Sequence, residues 1–230
     1  SKNIVQETLG IKNVSIVLHA NSNQRNMETK DRVLQGAEEL FFKYGIKSVT
    51  MDDIAKHLAI SKKTIYQFYS DKNEIVDTLM RLKLAEDKAS IQQIHVEADN
   101  VITEVFGLMK HMSQMFSKLN PNLFYDLQKY HPEAWKQFND FKEECIESMV
   151  ENAIKGGVKD GLVRAEKNTK IIARLRMEEI QWGFNAQAFP PDKYKIVDVQ
   201  LELLDHFLHG ICTLKGHKLI NKYKQVTEEE

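Results

Sequence analysis

Five hydrogen-bonding side chains fall within six consecutive residues: Lys62, Lys63, Thr64, Tyr66 and Gln67. Ser61 stands just ahead of them, and a serine hydroxyl caps a helix by accepting an unpaired backbone N–H. The run therefore reads as the start of a short helix, Lys62 to about Tyr69, with Ile65 and Tyr69 four apart and facing inward. A helix start carries free N–H groups and the positive end of the helix dipole, both suited to phosphate oxygens. Lysine can reach guanine O6 and N7 or a phosphate, glutamine can pair with adenine, and threonine can meet a thymine methyl. The chemistry on offer is recognition of duplex nucleic acid rather than bond making.

Such a helix must be held by its neighbours. Thr50 precedes Met51-Asp52-Asp53 and can cap a preceding helix, with Asp53 adding the negative charge that a helix start favours. Ile54, Ala55 and Leu58 form that helix's apolar stripe, which gives out at Ala59-Ile60. Two short helices around a tight turn make a helix-turn-helix. A helix from about Thr29 to Tyr44 supplies the brace, with Val33, Ala37, Leu40, Phe41 and Tyr44 on one face and Gly45 at its end. After the reader, Asp71-Lys72-Asn73-Glu74 reads as the capping box of a fourth helix. It runs through Ile75, Leu79 and Leu82 to about His95, with no clear break between the reader and the rest of the chain.

At these positions the chain resembles the TetR family of bacterial transcriptional regulators. The residues that carry the resemblance are Thr50, Ile54-Ala55, Ile60-Ser61, Thr64-Ile65-Tyr66, Tyr69 and Lys72, and it covers roughly Lys30 to Met80. Lys63 departs from the small residue often found there, and Phe68 from the usual Tyr or His. The resemblance implies an all-α protein in two parts: a three-helix helix-turn-helix DNA-binding domain and a helical ligand-binding and dimerisation domain. Expected boundaries are 1–26 for a disordered extension, 27–75 for the reader and 76–230 for the effector-binding and dimerisation domain. Thr50, Thr64, Tyr66 and Lys72 are expected to hold phosphates, and Lys62, Lys63 and Gln67 to read base edges.

Composition agrees with a helical chain of this kind. Four prolines and ten glycines are few among 230 residues, and the apolar periods are helical. The formal charge is −1, so any DNA-facing surface must be local, with Lys56, Lys62, Lys63 and Lys72 as its material. Cys145 and Cys212 lie in helical patterns and read as reduced, semi-buried thiols. No apolar run reaches the ~18 residues of a membrane span, and no signal peptide is evident, so a cytoplasmic protein is expected. His206 and His209, with Asp205, lack a third ligand, so no metal and no cofactor is expected. Neither G-x-S-x-G nor a glycine-rich phosphate loop occurs, which argues against an enzyme.

From Asp99 onward the pattern stays helical. One helix carries Val101, Val105, Leu108, Met109, Met112 and Phe116, and Asn120-Pro121 turns the chain into a short aromatic helix. His131-Pro132 opens a helix expected to end at Gly156-Gly157, and another is expected from about Asn168 to Ala188. Phe189-Pro190-Pro191-Asp192 breaks the chain. A last helix follows from about Ile196 to Leu214, with a frayed Lys-rich tail from Lys215.

Methionines and rings concentrated in this half suit an adaptable apolar pocket. Its candidates are Met109, Met112, Phe116, Phe124, Tyr125, Trp135, Phe138 and Trp182, with His111 and Tyr125 as polar handles. Val197, Leu201, Leu204, Leu208 and Ile211 form a stripe on the last long helix, which the resemblance assigns to a homodimer interface. The expectation is a homodimeric repressor on a near-palindromic DNA site, released by a small apolar effector. The alternative is a helical small-molecule or protein binding module without DNA-binding activity.

Overall fold

A computed structural model describes residues 27–166 and 168–225. The expected extension over residues 1–26 lies outside the described residues, as do residues 226–230. Helix α1 covers 27–44, α2 Met51–His57, α3 Lys62–Tyr66 and α4 Lys72–Glu97. Then come α5 (Val101–Phe116), α6 (Leu123–Tyr130), α7 (Pro132–Phe141), α8 (Glu147–Lys159), α9 (Thr169–Gly183), α10 (Ile196–Ile211) and α11 (Leu214–Lys224). Among the described residues the only extended pairing is an isolated antiparallel bridge, Val163 to Cys212.

Local chemistry sets the ends of the reader helices. Thr50 Oγ1 accepts the Asp53 N–H at 3.2 Å, and the Asp53 carboxylate accepts the Thr50 N–H at 2.8 Å, a capping box with Asp in the usual Glu place. At the other end of α2 the Ala59 N–H donates to Lys56 O and the Ile60 N–H to Ala55 O, with Ala59 at φ 53°. This is a Schellman turn built without glycine. Ser61 Oγ then accepts the Thr64 N–H at 3.0 Å and starts α3.

α3 stops at Tyr66, three residues short of the expected Tyr69. Its last bonds tighten, with Gln67 N–H to Thr64 O and Phe68 N–H to Ile65 O, while Tyr69 swings fully into the core. Asp71 caps α4 by accepting the Glu74 N–H at 2.9 Å, and Glu74 answers to the Ser70 N–H at 2.6 Å. The reciprocal bond is thus shifted one residue from a standard capping box.

Two apolar cores form. The first gathers Val33, Ala37 and Phe41 from α1 with Ile54, Ile65, Tyr69, Ile75 and Val76. It continues into Leu123, Leu127 and Ala134 of α6 and α7, so the reader packs directly on the second half of the chain. The second core holds Val101, Ile102, Ile154, Ala173, Leu208, Ile211 and Ile220. Each fully buried side chain of this size contributes roughly 1.5–3 kcal/mol.

Four expected boundaries are corrected. Gly156-Gly157 does not end a helix; α8 runs through both to Lys159, because the bare Gly157 lets the helix approach Val163 and Val101. Between α7 and α8 the chain keeps its direction through one π-helical turn, Lys142–Ile146. α9 ends at Gly183 rather than Ala188, because the Asn185 side chain accepts the N–H groups of Gln187 and Ala188 and starts a turn. α10 ends at Ile211, and the segment expected to fray is helix α11, capped by Thr213 and anchored by the fully buried Ile220.

Candidate nucleic-acid interface and effector cavity

On α3, Lys62, Lys63, Tyr66 and Gln67 are exposed, Thr64 is half-buried, and Ile65 on the opposite face is fully buried. The expected base-reading side chains, Lys62, Lys63 and Gln67, are therefore all exposed to solvent. Two of the cations already have partners. Lys62 Nζ lies 2.7 Å from Asp52 Oδ2, a bond that raises the lysine above its ordinary pKa. Lys72 Nζ donates to the carbonyls of Ile46 and Val49, at 2.9 Å each, and burial lowers its pKa. Lys72 thus closes the α1–α2 loop from the first turn of α4. Thr50 is exposed, but its hydroxyl donates to Asp53 Oδ2 at 2.6 Å within the capping box, and that bond is the main cause holding the Asp53 carboxyl below its usual range.

Beside the shared apolar core, polar contacts also join the reader to the second half. Asp126 on α6 accepts the Lys47 backbone N–H at 2.8 Å, and Asn120 Nδ2 donates to Lys43 O at 3.2 Å. These two bonds bracket Gly45, whose φ of +81° turns the chain out of α1 and whose missing side chain leaves room for both partners. His131 is buried at the same joint; burial, then Lys72, lowers its pKa, and its Nδ1 has no hydrogen-bond partner among the described residues.

A cavity of about 180 Å³ lies between α5, α8, α9 and α10, walled chiefly by apolar side chains. Of the eight expected pocket residues, Met112, Phe116 and Phe138 line it. Phe124 lines a second cavity of about 150 Å³ together with Phe116 and Phe138. Met109, Trp135, Tyr125 and Trp182 line neither. Trp135 is spent in a ring cluster with Phe138 and Phe184. Tyr125 turns outward to accept a bond from Lys129 at 2.8 Å, and Trp182 is 53% exposed against Phe189.

Of the two expected polar handles, His111 does line the main cavity and pairs with Asp87 at 2.5 Å. Three buried polar groups on its wall escaped the sequence reading: Glu104, Arg176 and Gln200. Glu104 bonds His95 at 2.9 Å, Gln200 donates to Ile180 O at 2.9 Å, and Arg176 pairs with Glu179 at 3.2 Å. Burial lowers the Arg176 pKa, and Glu179 opposes that. The missed signal was a charge on an apolar stripe: Arg176 sits between Ala173 and Ile180, and Glu104 between Val101 and Leu108.

The stripe expected at a dimer interface is divided. Leu204, Leu208 and Ile211 are buried in the subunit's own interior and line the main cavity, so they do not form an outer face; Val197 and Leu201 stay half-exposed. The open apolar surface lies instead on α9, where Ile171, Leu175 and Trp182 are exposed. Cys212 is buried, which pushes its thiol up to about 11, and Cys145 is half-buried. Among the described residues no helix is long and apolar enough to cross a membrane, and no group of three metal-ligating side chains assembles.

Comparison with known proteins fits this arrangement. Residues 33–79 match the model of bacterial regulatory proteins of the tetR family. The HTH-type transcriptional regulator YvaF of Bacillus subtilis is 35% identical over 98 residues, a match spanning 42% of this chain and 52% of that protein. The chain thus spans about half the length of that curated relative. A TetR-family transcriptional regulator from Agrobacterium tumefaciens shares the fold with a TM-score of 0.64 at 13% identity, over 82% of this chain and 100% of that one. The regulator FadR of Bacillus subtilis, solved in complex with stearoyl-CoA, does so with a TM-score of 0.56 at 16% identity, over 78% and 98% of the two chains. Over residues 33–79 the chain is similar to the bacterial regulatory proteins of the tetR family, and over most of its length it shares the fold of a solved TetR-family transcriptional regulator.

Proposed function

We propose that this chain binds duplex DNA as a homodimer, acts as a repressor in the cytoplasm, and is released from its operator by a small apolar molecule. The observation that carries the reading is the free face of α3. Lys63, Tyr66 and Gln67 project from a helix whose other side is locked into a core by Ile65 and Tyr69. A reader of this kind needs rigid backing and an exposed N-terminal turn, and α3 has both. Lys62 and Lys72 would exchange their present partners, or share them, when phosphates arrive.

Dimerisation is supported by the exposed stripe of Ile171, Leu175 and Trp182, flanked by Val197 and Leu201. A second copy would cover it, and a two-fold pair suits a near-palindromic site. The effector would occupy the main cavity, whose size exceeds the roughly 150 Å³ of an apolar cavity that takes up a benzene-sized ligand. The structural neighbour solved with stearoyl-CoA is a precedent, on this fold, for a ligand with an apolar chain.

The test is selection of the purified protein on a random duplex library at moderate salt. An enriched two-fold motif, whose binding falls steeply as salt rises, is expected. A folded, dimeric protein that enriches nothing after removal of copurified small molecules would refute the DNA-binding reading and leave a helical binding module.

A further inference from the structure

The second cavity takes Phe116, Phe124 and Phe138 from the expected pocket residues, but most of its wall comes from helices that the sequence reading did not assign to a pocket. It sits under the reader, between Phe41 and Phe42 of α1, Leu79 and Leu84 of α4, and Leu127 of α6. It meets the main cavity at Asp87, Met115, Phe116 and Phe138, which line both. The partition is aromatic: Phe116 and Phe138 flank Phe124 and Phe184, whose ring centroids are 4.6 Å apart.

We propose that the second cavity is the far end of the effector site and receives the straight aliphatic chain of an elongated effector whose near end lies in the main cavity. This rests on the effector site proposed above. The charged groups at the second cavity are already matched: Lys83 pairs with Glu38 at 2.7 Å, and Asp87 with His111 at 2.5 Å. The remaining wall is hydrocarbon and aromatic, so it asks for an occupant without hydrogen-bonding groups. Each chamber alone is about the size that holds one benzene-like group. A rigid ring system filling both would have to displace the aromatic partition, whereas a flexible chain needs only one ring to turn aside. The occupant would then touch α1 and α4 directly, beside the bonds from Asp126 and Asn120 that seat the reader. Filling would thus bear on the orientation of α3 without relay through the distant helices.

The experiment is calorimetric titration of the full chain with straight-chain alcohols from hexan-1-ol to hexadecan-1-ol. Wild-type affinity is expected to rise about fourfold per added methylene, and to keep rising for chains longer than the main cavity holds. Leu84→Trp fills only the second cavity. It is expected to leave hexan-1-ol binding within about twofold and to weaken the longest chains by tenfold or more. Leu119→Phe, at another residue of that cavity alone, repeats the test, and thermal melts establish that both variants fold. Ala153→Leu, in the main cavity alone, is expected to weaken every length. Long chains that bind both folded second-cavity variants as tightly as wild type would overturn the inference. So would a wild-type series that stops gaining at short length, while short chains sensitive to Ala153→Leu would leave the main-cavity reading standing. Absence of binding at every length would take both down.

Discussion

Asp126 on α6 accepts the backbone N–H of Lys47 at 2.8 Å, tying the second half of the chain to the loop that precedes the reader. The carboxylate is buried, and the lysine contributes only its main chain to this bond. Removing the acceptor would leave the Lys47 N–H without its partner in a part-buried setting. Asp126→Ala is expected to cost about 1.5–3 kcal/mol, the range for hydrogen bonds to charged groups. Urea unfolding of the variant checks this, and a loss below about 0.5 kcal/mol would mean that water replaces the carboxylate.

The adjacent glycines of α8 should behave oppositely. A Cβ at Gly157 would lie 2.6 Å from Val163 Cγ2 and 2.8 Å from Val101 Cγ1, whereas one at Gly156 meets nothing within 4 Å. Gly157→Ala is expected to destabilise by about 1–3 kcal/mol through overpacking. Gly156→Ala is expected to stabilise by about 0.5–1 kcal/mol, since glycine is a poor helix residue. Paired thermal melts decide it; a shift of the same sign in both would show that the contact at Gly157 relaxes.

His131 sets a pH dependence. Its folded pKa is lowered from 6.5, chiefly by burial. The unfolded chain therefore binds the proton more readily, and the stability held by neutral His131 is full above about pH 6.5. It is lost as pH falls from there through the lowered folded value. Stability measured between about pH 5 and pH 7.5 should fall on acidification in wild type and less steeply in His131→Gln. Parallel curves would assign the acid sensitivity to other groups.

On the DNA-binding reading proposed above, the face of α3 carries two kinds of contact. Gln67→Ala is expected to relax base preference at one operator position at a cost of about 1–3 kcal/mol. Tyr66→Ala should weaken binding to all sequences similarly. If Lys63 reaches a phosphate rather than a base, Lys63→Ala should lower the salt slope by about one. Unchanged sequence preference in the Gln67 variant would remove it from the base-reading set.

The reader was written in short-range chemistry. Thr50, Ser61 and Asp71 each cap the helix that follows within three residues, and the alternation of buried Ile54 and Ile65 with exposed lysines follows from helical period alone. Such signals survive in a sequence because donor and acceptor are neighbours along it. The all-helical class and the brace of α1 were legible for the same reason.

Where distant residues meet, only the tertiary structure decided. An apolar stripe does not say which neighbour covers it, so Leu204, Leu208 and Ile211 read as an outer face, whereas in the fold α10 packs on α5 and α9. Tyr125 and Trp182 matched the composition of a pocket, yet their helices turn them outward. Conversely, Arg176 drew no reading and Lys72 was expected to hold a phosphate, because the burial of the one and the loop carbonyls that hold the other are supplied by folding. The second cavity is the extreme case, a space bounded by α1, α4, α5, α6 and α7 that no single segment encodes. Capping and periodicity are properties of one helix, whereas burial and cavities belong to the packing of several.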